Sequence, residues 1–497
     1  MRWANFLHIY QPAEQQADIL EAVVVQSYRP IFYGLKKYKK VRLSLNINGA
    51  LLELFDKRGY HDLIDILREI VKEDRVELTG SAKYHAFLPF LEKDEIIRQI
   101  KINDETIKFF LGKTYKTKGF FPPEMAYKEE LARIVSDFGF EWIILDEIAL
   151  GGGTGNIDYG KIYKIKNTDL LVFFRERRPS NLIMSAMVRT TRTLKRVMKK
   201  DVGNERYLVT AMDGETFGHH RPGLQNLLFE LFESPEFELI EISDIPKFYK
   251  QTVEVSPIRS TWASSPEEIQ KNIQFLSWSD PENTIHKWQW EFFDLVLREV
   301  YAMDKIGPGY AAIRKKMDIA MASDHFWWAS AKPWWSLEMI EDGAWRLLET
   351  IRAIPRVSDQ KLKRASELYE KIISTAFAWQ RSGRIRKNAL EQKSILRIPF
   401  KDRTLGKGGA EEGVYHAFID TMKKLEKKAA RAGEYEKAIL WRDAVYKLEN
   451  KLDIYDAINS IDLLRTEVFN DEMEKIIEKY KEKYSKIRGG QPEQRGA

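Results

Sequence analysis

Five short stretches in the first half of the chain carry side chains able to do acid–base or coordination chemistry, and each follows an apolar run. They are His8-Ile9-Tyr10-Gln11-Pro12, Thr79-Gly80-Ser81-Ala82-Lys83-Tyr84-His85, Phe121-Pro122-Pro123-Glu124-Met125-Ala126-Tyr127, Arg175-Glu176-Arg177 and Met212-Asp213-Gly214-Glu215-Thr216-Phe217-Gly218-His219-His220. Half of the eight histidines fall in them: His8, His85, His219 and His220. Two carboxyl groups supplied from different stretches are the equipment of glycoside hydrolysis. One attacks the anomeric carbon; the other protonates the leaving oxygen and later activates water. A gap of about 5–5.5 Å makes such an enzyme retaining, and about 6.5–9.5 Å makes it inverting. Pro122 and Pro123 stiffen the approach to Glu124, which suits a nucleophile held in one pose.

Other chemistries compete for the same residues. A strand-end glutamate can simply pair with an Arg or Lys. His219 and His220, with Asp213 and Glu215, offer ligand types that a metal accepts, although adjacent histidines on a strand or turn usually point apart. Gly151-Gly152-Gly153-Thr154-Gly155 looks like a phosphate cradle but lacks the Lys-Ser/Thr that completes one, so it reads as a flexible loop. On that ligand geometry no metal is expected.

The elements that must present these residues alternate. Residues 3–8, 41–46, 75–79, 118–121, 142–145, 170–175 and 207–212 read as strands, with 237–242 as a further candidate. Helical patterns lie between them at 51–71, 93–111 and 128–138. Strand and helix alternating in this way make a parallel sheet, and polar residues gathered at the strand ends suggest a β/α barrel, whose active site lies where the βα loops meet. After about residue 255 the pattern turns helical, at 288–303, 311–322, 335–354 and 358–380. A Gly-rich break at 406–409 precedes long charged helices at 411–448 and 453–487, and the tail from 489 has the composition of a disordered end. The expected division is therefore a barrel at 1–255, a helical region completing the cleft at 256–400, a helical hairpin or bundle at 401–487 and a tail at 488–497.

Composition narrows the partners. The net charge of +6 arises from 80 basic and 74 acidic residues interspersed along the chain, which is a solvated surface rather than a nucleic-acid footprint. With no cysteine there is neither a disulfide nor a thiolate site. No apolar run suits a signal peptide or a membrane span, so a cytoplasmic location is expected, and heavy Lys, Glu and Arg use hints at a thermophile. The 13 Trp suit both cores and sugar clefts. Trp278, Trp288, Trp290, Trp334 and Trp335 form a second aromatic segment that could stack on sugars or pack helices.

Taken together, the ordered stretches resemble glycoside hydrolase family 57. The family's His-x-His-Gln-Pro is matched by His8-Ile9-Tyr10-Gln11-Pro12, its nucleophile signature by Phe121-Pro122-Pro123-Glu124, and its acid/base signature by Asp213-Gly214-Glu215-Thr216-Phe217-Gly218-His219. Its last signature is matched by Ser323-Asp324-His325-Phe326-Trp327-Trp328. Tyr10 departs from the family's second His, and Phe121 and His220 stand where many members carry Trp.

The resemblance implies an α/β chain with an incomplete, seven-stranded β/α barrel followed by an all-helical C-terminal region. It also implies double displacement on α-linked glucans, with Glu124 as nucleophile and Asp213 as acid/base. Asp213 is expected to be raised in pKa by nearby carboxylates while Glu124 stays ionised. His8, Tyr10, Gln11, Tyr84, Phe121, Arg175, Glu215, His219, His220, Asp324, Trp327 and Trp328 are the implied substrate contacts, with Arg175 orienting a carboxylate. Hydrolysis of α-amylase type, 4-α-glucan transfer and branching all occur in the family, as does α-galactosidase activity.

Residues 423–452 resemble the UVR helical hairpin, which makes protein contacts, although amphipathic packing explains the same pattern. A non-catalytic glycan-binding scaffold and a metal-dependent hydrolase using Asp213, His219 and His220 are the readings from other classes.

Overall fold

The computed structural model describes residues 1–112, 115, 117–186, 188–198, 204–332, 334–391 and 412–450, with scattered positions between 460 and 480. Two compact units divide the chain. The first comprises Met1–Ser180, Lys200–Gly214 and Ser234–Arg397; the second comprises Asn181–Lys199, Glu215–Glu233 and Ile398–Ala497. The 255/256 boundary read from the sequence lies inside the first unit. The Gly-rich break at 406–409, most of the 453–487 helix and the tail lie outside the described residues.

In the first unit the β-branched and aromatic runs pair as β1 (Arg2–Ile9), β2 (Leu43–Ile47), β3 (Val76–Leu78), β4 (Gly119–Phe120), β5 (Trp142–Asp146), β6 (Ile162–Ile165), β7 (Leu171–Arg175), β8 (Tyr207–Asp213), β9 (Glu238–Leu239) and β10 (Thr252–Val255). One sheet has the order β3-β2-β1-β8, with β9 on the start of β1; the other runs β10-β6-β7-β5-β4. A parallel bridge between Gly80 and Phe120 joins β3 to β4. The Glu176 N–H donates to the Val209 carbonyl at 2.9 Å, linking the end of β7 to β8. Parallel strands therefore run β8-β1-β2-β3-β4-β5-β7, an α/β arrangement whose C-terminal strand ends lie on one side. β6, β9 and β10 stand outside that run, and β6 meets β7 antiparallel.

Helix boundaries follow local chemistry. Lys93–Leu111 runs the full predicted length and stops at Gly112, whose φ is 112°. The single helix expected at 51–71 is instead two, Gly49–Lys57 and His61–Lys72. Gly59 between them sits at φ 78°, which only glycine adopts freely. Thr284–Tyr301, Tyr310–Ala320, Leu337–Ala353 and Asp359–Arg381 match the helical patterns beyond residue 255. Their apolar faces share one core with Phe120, Tyr127, Leu131, Phe174 and Trp278. A second core, including Phe6, Phe121, Trp142, Phe173 and Tyr207, fills the space between the strands. Arg314, 2 % exposed, is paired with Glu95 and Asp318 and so ties Tyr310–Ala320 to Lys93–Leu111.

The second unit is helical among its described residues. Thr191 donates to Glu230 through its backbone N–H at 2.8 Å and its hydroxyl at 3.0 Å, joining Thr191–Val197 to Gln225–Glu233. The helix expected at 411–448 is broken at Gly433 (φ 77°) into Glu412–Arg431 and Tyr435–Asn450, an antiparallel hairpin. Phe418 and Met422 pack there with Trp441, Val445 and Leu448.

β4 is only two residues long, and it depends on a close approach. A Cβ at Gly119 would lie 2.1 Å from Cζ2 of the buried Trp142. Gly119→Ala is expected to destabilise the chain by about 1–3 kcal/mol through overpacking. The denaturant midpoint measures this, and an unchanged midpoint would show that Trp142 yields without cost.

Candidate active site

Glu124 leaves β4 through Pro122-Pro123 into a short turn, Pro123–Met125, in which Glu124 itself has φ 61° and ψ 15°. Left-handed geometry is unfavourable for a side chain this size and marks a constrained position. Trp262 holds it twice: its indole N–H donates to Glu124 Oε2 at 2.8 Å, and its backbone N–H donates to the Glu124 carbonyl at 3.2 Å. One residue pair away, Tyr127 N–H donates to the Ser260 carbonyl at 2.9 Å, zipping the same two segments together.

β8 ends on Asp213, which stands opposite His8 in the β1–β8 register. The His8 ring Nδ1 lies 2.8 Å from Asn46 Oδ1, and Asn46 Nδ2 donates to Thr79 Oγ1 at 3.1 Å. That chain assigns the proton to Nδ1 and leaves Nε2 as an acceptor. Burial pushes His8 down to about 4, so it is neutral near pH 7. Its ring stacks on Phe121 at 4.6 Å and on His85 at 5.1 Å, and His85 stacks on Tyr10 at 4.1 Å.

Tyr10 donates to Asp324 Oδ2 at 2.7 Å, bringing the helical segment Asp324–Trp327 to the end of β1. His85 Nδ1 lies 3.0 Å from Ser323 Oγ and 4.0 Å from Glu124 Oε1; burial holds the ring neutral. Trp327 stacks on Trp334 at 4.5 Å and meets Trp328 edge-on at 4.8 Å. The other tryptophans of that segment sort differently: Trp278 stacks on Phe87 and Trp290 on Phe326, both within the core.

Three carboxyl groups thus share one buried neighbourhood. Burial raises Glu124 to about 8, further aided by the charges of Asp213 and Asp324 and opposed by the Trp262 hydrogen bond. Burial also raises Asp213 to about 6, opposed by the Arg175 charge, and Asp324 to about 6, opposed by the Tyr10 hydrogen bond. The order differs from the one expected: Glu124, not Asp213, is shifted furthest. Its side chain is buried against neutral rings with one donor, whereas Asp213 feels a guanidinium. Among the described residues no Lys or Arg forms an ion pair with any of the three.

The remaining expected contacts are placed as follows. Arg175 donates to Asp146 Oδ2 at 2.9 Å and to the Ala211 carbonyl at 2.7 Å, and reaches Asp213 only through its field. Phe121 is fully buried between Phe6 and His8. The Gln11 amide is engaged with Tyr28 at 3.2 Å and Gln15 at 2.8 Å. Tyr84 is turned to other company: its N–H donates to Gln99, and Glu53, Asp318 and Arg98 are the charges it feels. His85, its neighbour, takes the place in the pocket.

Glu215, His219 and His220 belong to the second unit. The Glu215 carbonyl there accepts from His220 N–H at 2.7 Å, and the two histidine rings lie 5.4 Å apart, tilted by 49°. Among the described residues no group of three or more His, Asp or Glu side chains is arranged to hold a metal ion. The glycine loop closes onto Glu147, whose Oε2 accepts from Gly155 N–H at 2.6 Å. Trp262 carried no signal in the sequence, because it lies in a loop beyond the strand-end stretches.

Residues 13–257 match the family model described as glycosyl hydrolase family 57. The matched span includes Glu124 and Asp213 but neither His8 nor Asp324. An α-amylase of Pyrococcus horikoshii is 25% identical over 232 residues, covering 46% of this chain and 36% of that protein. A 4-α-glucanotransferase of Thermococcus kodakarensis is 26% identical over 151 residues, 30% of this chain and 22% of that protein. The chain therefore spans well under half the length of these relatives. Among solved structures, a GH57-type branching enzyme from Pyrococcus horikoshii shares the fold with a TM-score of 0.56 at 17% identity, covering 76% of this chain and 96% of that one. No helix among the described residues is long and apolar enough to cross a membrane.

Burial of Glu124 has a consequence for stability. Its pKa rises from 4.5 to about 8 on folding, so the folded chain holds this proton more tightly than the unfolded one. The contribution is fully present below 4.5 and is lost as pH rises through about 8. Glu124→Gln is expected to flatten the fall of Tm across that window and to leave the variant more stable than wild type at its upper end. Parallel Tm profiles for the two proteins would contradict the shift.

Proposed function

We propose that the chain is a retaining glycoside hydrolase acting on α-1,4-linked glucans, on the premise that residues 13–257, which match the model of glycosyl hydrolase family 57, make it a member of that family. The observation that carries the reading is the delivery of Glu124 and Asp213 from the ends of β4 and β8 into one buried pocket, close enough that the Asp213 charge raises Glu124. The parallel run β8-β1-β2-β3-β4-β5-β7 supports an incomplete seven-stranded β/α barrel as the frame.

In this reading Glu124 attacks the anomeric carbon as the bond to the leaving oxygen breaks, and Asp213 gives its proton to that oxygen. Asp213 then takes a proton from water, whose oxygen attacks the same carbon and releases Glu124. The free protein stores one proton on the pair between the two apparent values of about 6 and about 8. The positive charge that develops on the sugar favours the microstate with Glu124 ionised and Asp213 protonated. His8 Nε2, Asp324 and the Tyr10 oxygen offer acceptors to sugar hydroxyls, and Trp327 and Trp328 offer flat faces. His85 and Trp262 position Glu124.

Transfer to a second sugar is the alternative outcome of the glycosyl-enzyme. It is favoured by one observation: a relative named as a 4-α-glucanotransferase matches at 26% identity, level with the α-amylase at 25%. Product analysis on maltoheptaose separates the two. Only shorter products indicate hydrolysis, and longer ones indicate transfer.

Two further outcomes are expected. Glu124→Gln should lower kcat on α-1,4-glucans by roughly 10⁴-fold or more, and azide should restore turnover to Glu124→Gly; unchanged activity in Glu124→Gln would remove it as nucleophile. The kcat/KM profile should be bell-shaped with limbs near about 6 and about 8. Asp213→Asn, assayed on a substrate whose leaving group needs no acid, should keep only the acid limb, moved up from about 6 but short of about 8, because burial still raises Glu124 while the Asp213 charge no longer does.

A further inference from the structure

A second cavity of about 410 Å³ opens in the first unit and shares no lining residue with the carboxylate pocket. Its wall carries Phe90, 40% exposed, set edge-to-face with Phe275 at 5.5 Å. Polar groups face the same space: the amides of Gln274 and Asn272, the hydroxyl of Ser279 and the guanidinium of Arg259. None of these four side chains makes a hydrogen bond or ion pair among the described residues. Gln274 is the telling one, because at 6% exposure it is nine-tenths buried with its amide unpaired. A buried amide oxygen without a partner is costly to leave unsatisfied.

We propose that this cavity is an accessory carbohydrate site, taking a sugar unit of the same α-glucan that Glu124 and Asp213 act upon. The leftover groups decide the chemistry. Amides and a hydroxyl both donate and accept, and their complement is a group that also does both, the sugar hydroxyl. An inorganic anion, accepting only, would satisfy Arg259 and leave the amide oxygens as they are. The exposed face of Phe90 suits the apolar C–H face of a pyranose ring.

Chain geometry links the two sites. Lys128 on the cavity wall is four residues beyond Glu124, and Arg259 is three residues before Trp262, with Tyr127 and Ser260 paired between them. Four residues span at most about 14 Å, so the cavity and the pocket are close neighbours in the fold. The inference rests on the glucan reading above, and the test keeps the two apart.

Calorimetric titration of full-length Glu124→Gln with maltoheptaose is expected to show two binding events. Adding Phe90→Ala and Arg259→Ala, both at exposed positions, should weaken one event by roughly tenfold and leave the other unchanged. In the otherwise native chain the same two substitutions should raise KM for long glucan and leave kcat on maltotriose unaltered. Undiminished binding in the substituted chain overturns the site, as does displacement of maltoheptaose from it by inorganic phosphate. If the native chain turns over no α-glucan the catalytic reading fails; loss of maltoheptaose binding on Phe90→Ala with Arg259→Ala would still support the cavity as a sugar site.

Discussion

Three carboxyl groups in one buried pocket, each denied an ion pair, is the constraint around which the first unit is arranged. Desolvation acts on Glu124, Asp213 and Asp324 alike, the charges of the other two act on Glu124 besides, and the surroundings compensate each only in part. Glu124 receives one indole N–H, Asp324 one phenol, and Asp213 the field of a guanidinium whose hydrogen bonds go elsewhere. Full compensation would hold all three ionised and leave no proton to deliver. Partial compensation keeps a proton in the pocket at neutral pH, at a cost in stability that the apolar cores must offset.

Holding Glu124 in place requires strained backbone, and the strain is spread over neighbours that have other work. Glu124 and Met125 both have positive φ, a conformation costing about 1–3 kcal/mol per residue. Pro122 and Pro123 restrict the approach, Trp262 fastens the turn from across the pocket, and the Tyr127–Ser260 pairing closes it behind. Upstream, β4 packs so tightly on Trp142 that its first residue has no room for a side chain. The row from His8 through Asn46 to Thr79 links three neighbouring strand ends by two hydrogen bonds, which fixes the tautomer of the ring opposite Asp213.

What could be read from the sequence follows from how locally each feature is encoded. The strands of the parallel run were legible because each is a short apolar stretch ending in polar residues, and Lys93–Leu111 because its period is regular and a glycine ends it. β6 and β10 were not legible: they are four residues each, partly exposed, and supported by pairing across the sheet. The breaks at Gly59 and Gly433 needed φ values that a hydrophobic pattern does not report. In the pocket, the residue types at strand ends identified Glu124 and Asp213 as candidates, whereas the choice between Tyr84 and His85 turned on loop geometry. His85 has φ 55° and its ring stacks on Tyr10, whereas the Tyr84 backbone N–H donates to Gln99. Trp262 could not be found at all, because its partner is 138 residues away along the chain. The proton order among the carboxyls was likewise out of reach, since it depends on burial and on which charge each one faces.

The substitution at Tyr10 bears directly on that proton order. The motif it occupies has a histidine there, a ring that can take up a proton and a positive charge. A phenol cannot. Burial and the charges of Asp324 and Glu124 push Tyr10 well above its ordinary value, so it stays a neutral donor across the working range. It still orients Asp324 through a 2.7 Å hydrogen bond and fills the stack against His85. One hydrogen-bond donor thus stands where the motif has a potential cation. His85 does not restore the charge, because burial and the neighbouring His8 keep it neutral. The raised values of Glu124, Asp213 and Asp324 come first from burial, and the ring at position 10 tempers one of them by donating to Asp324.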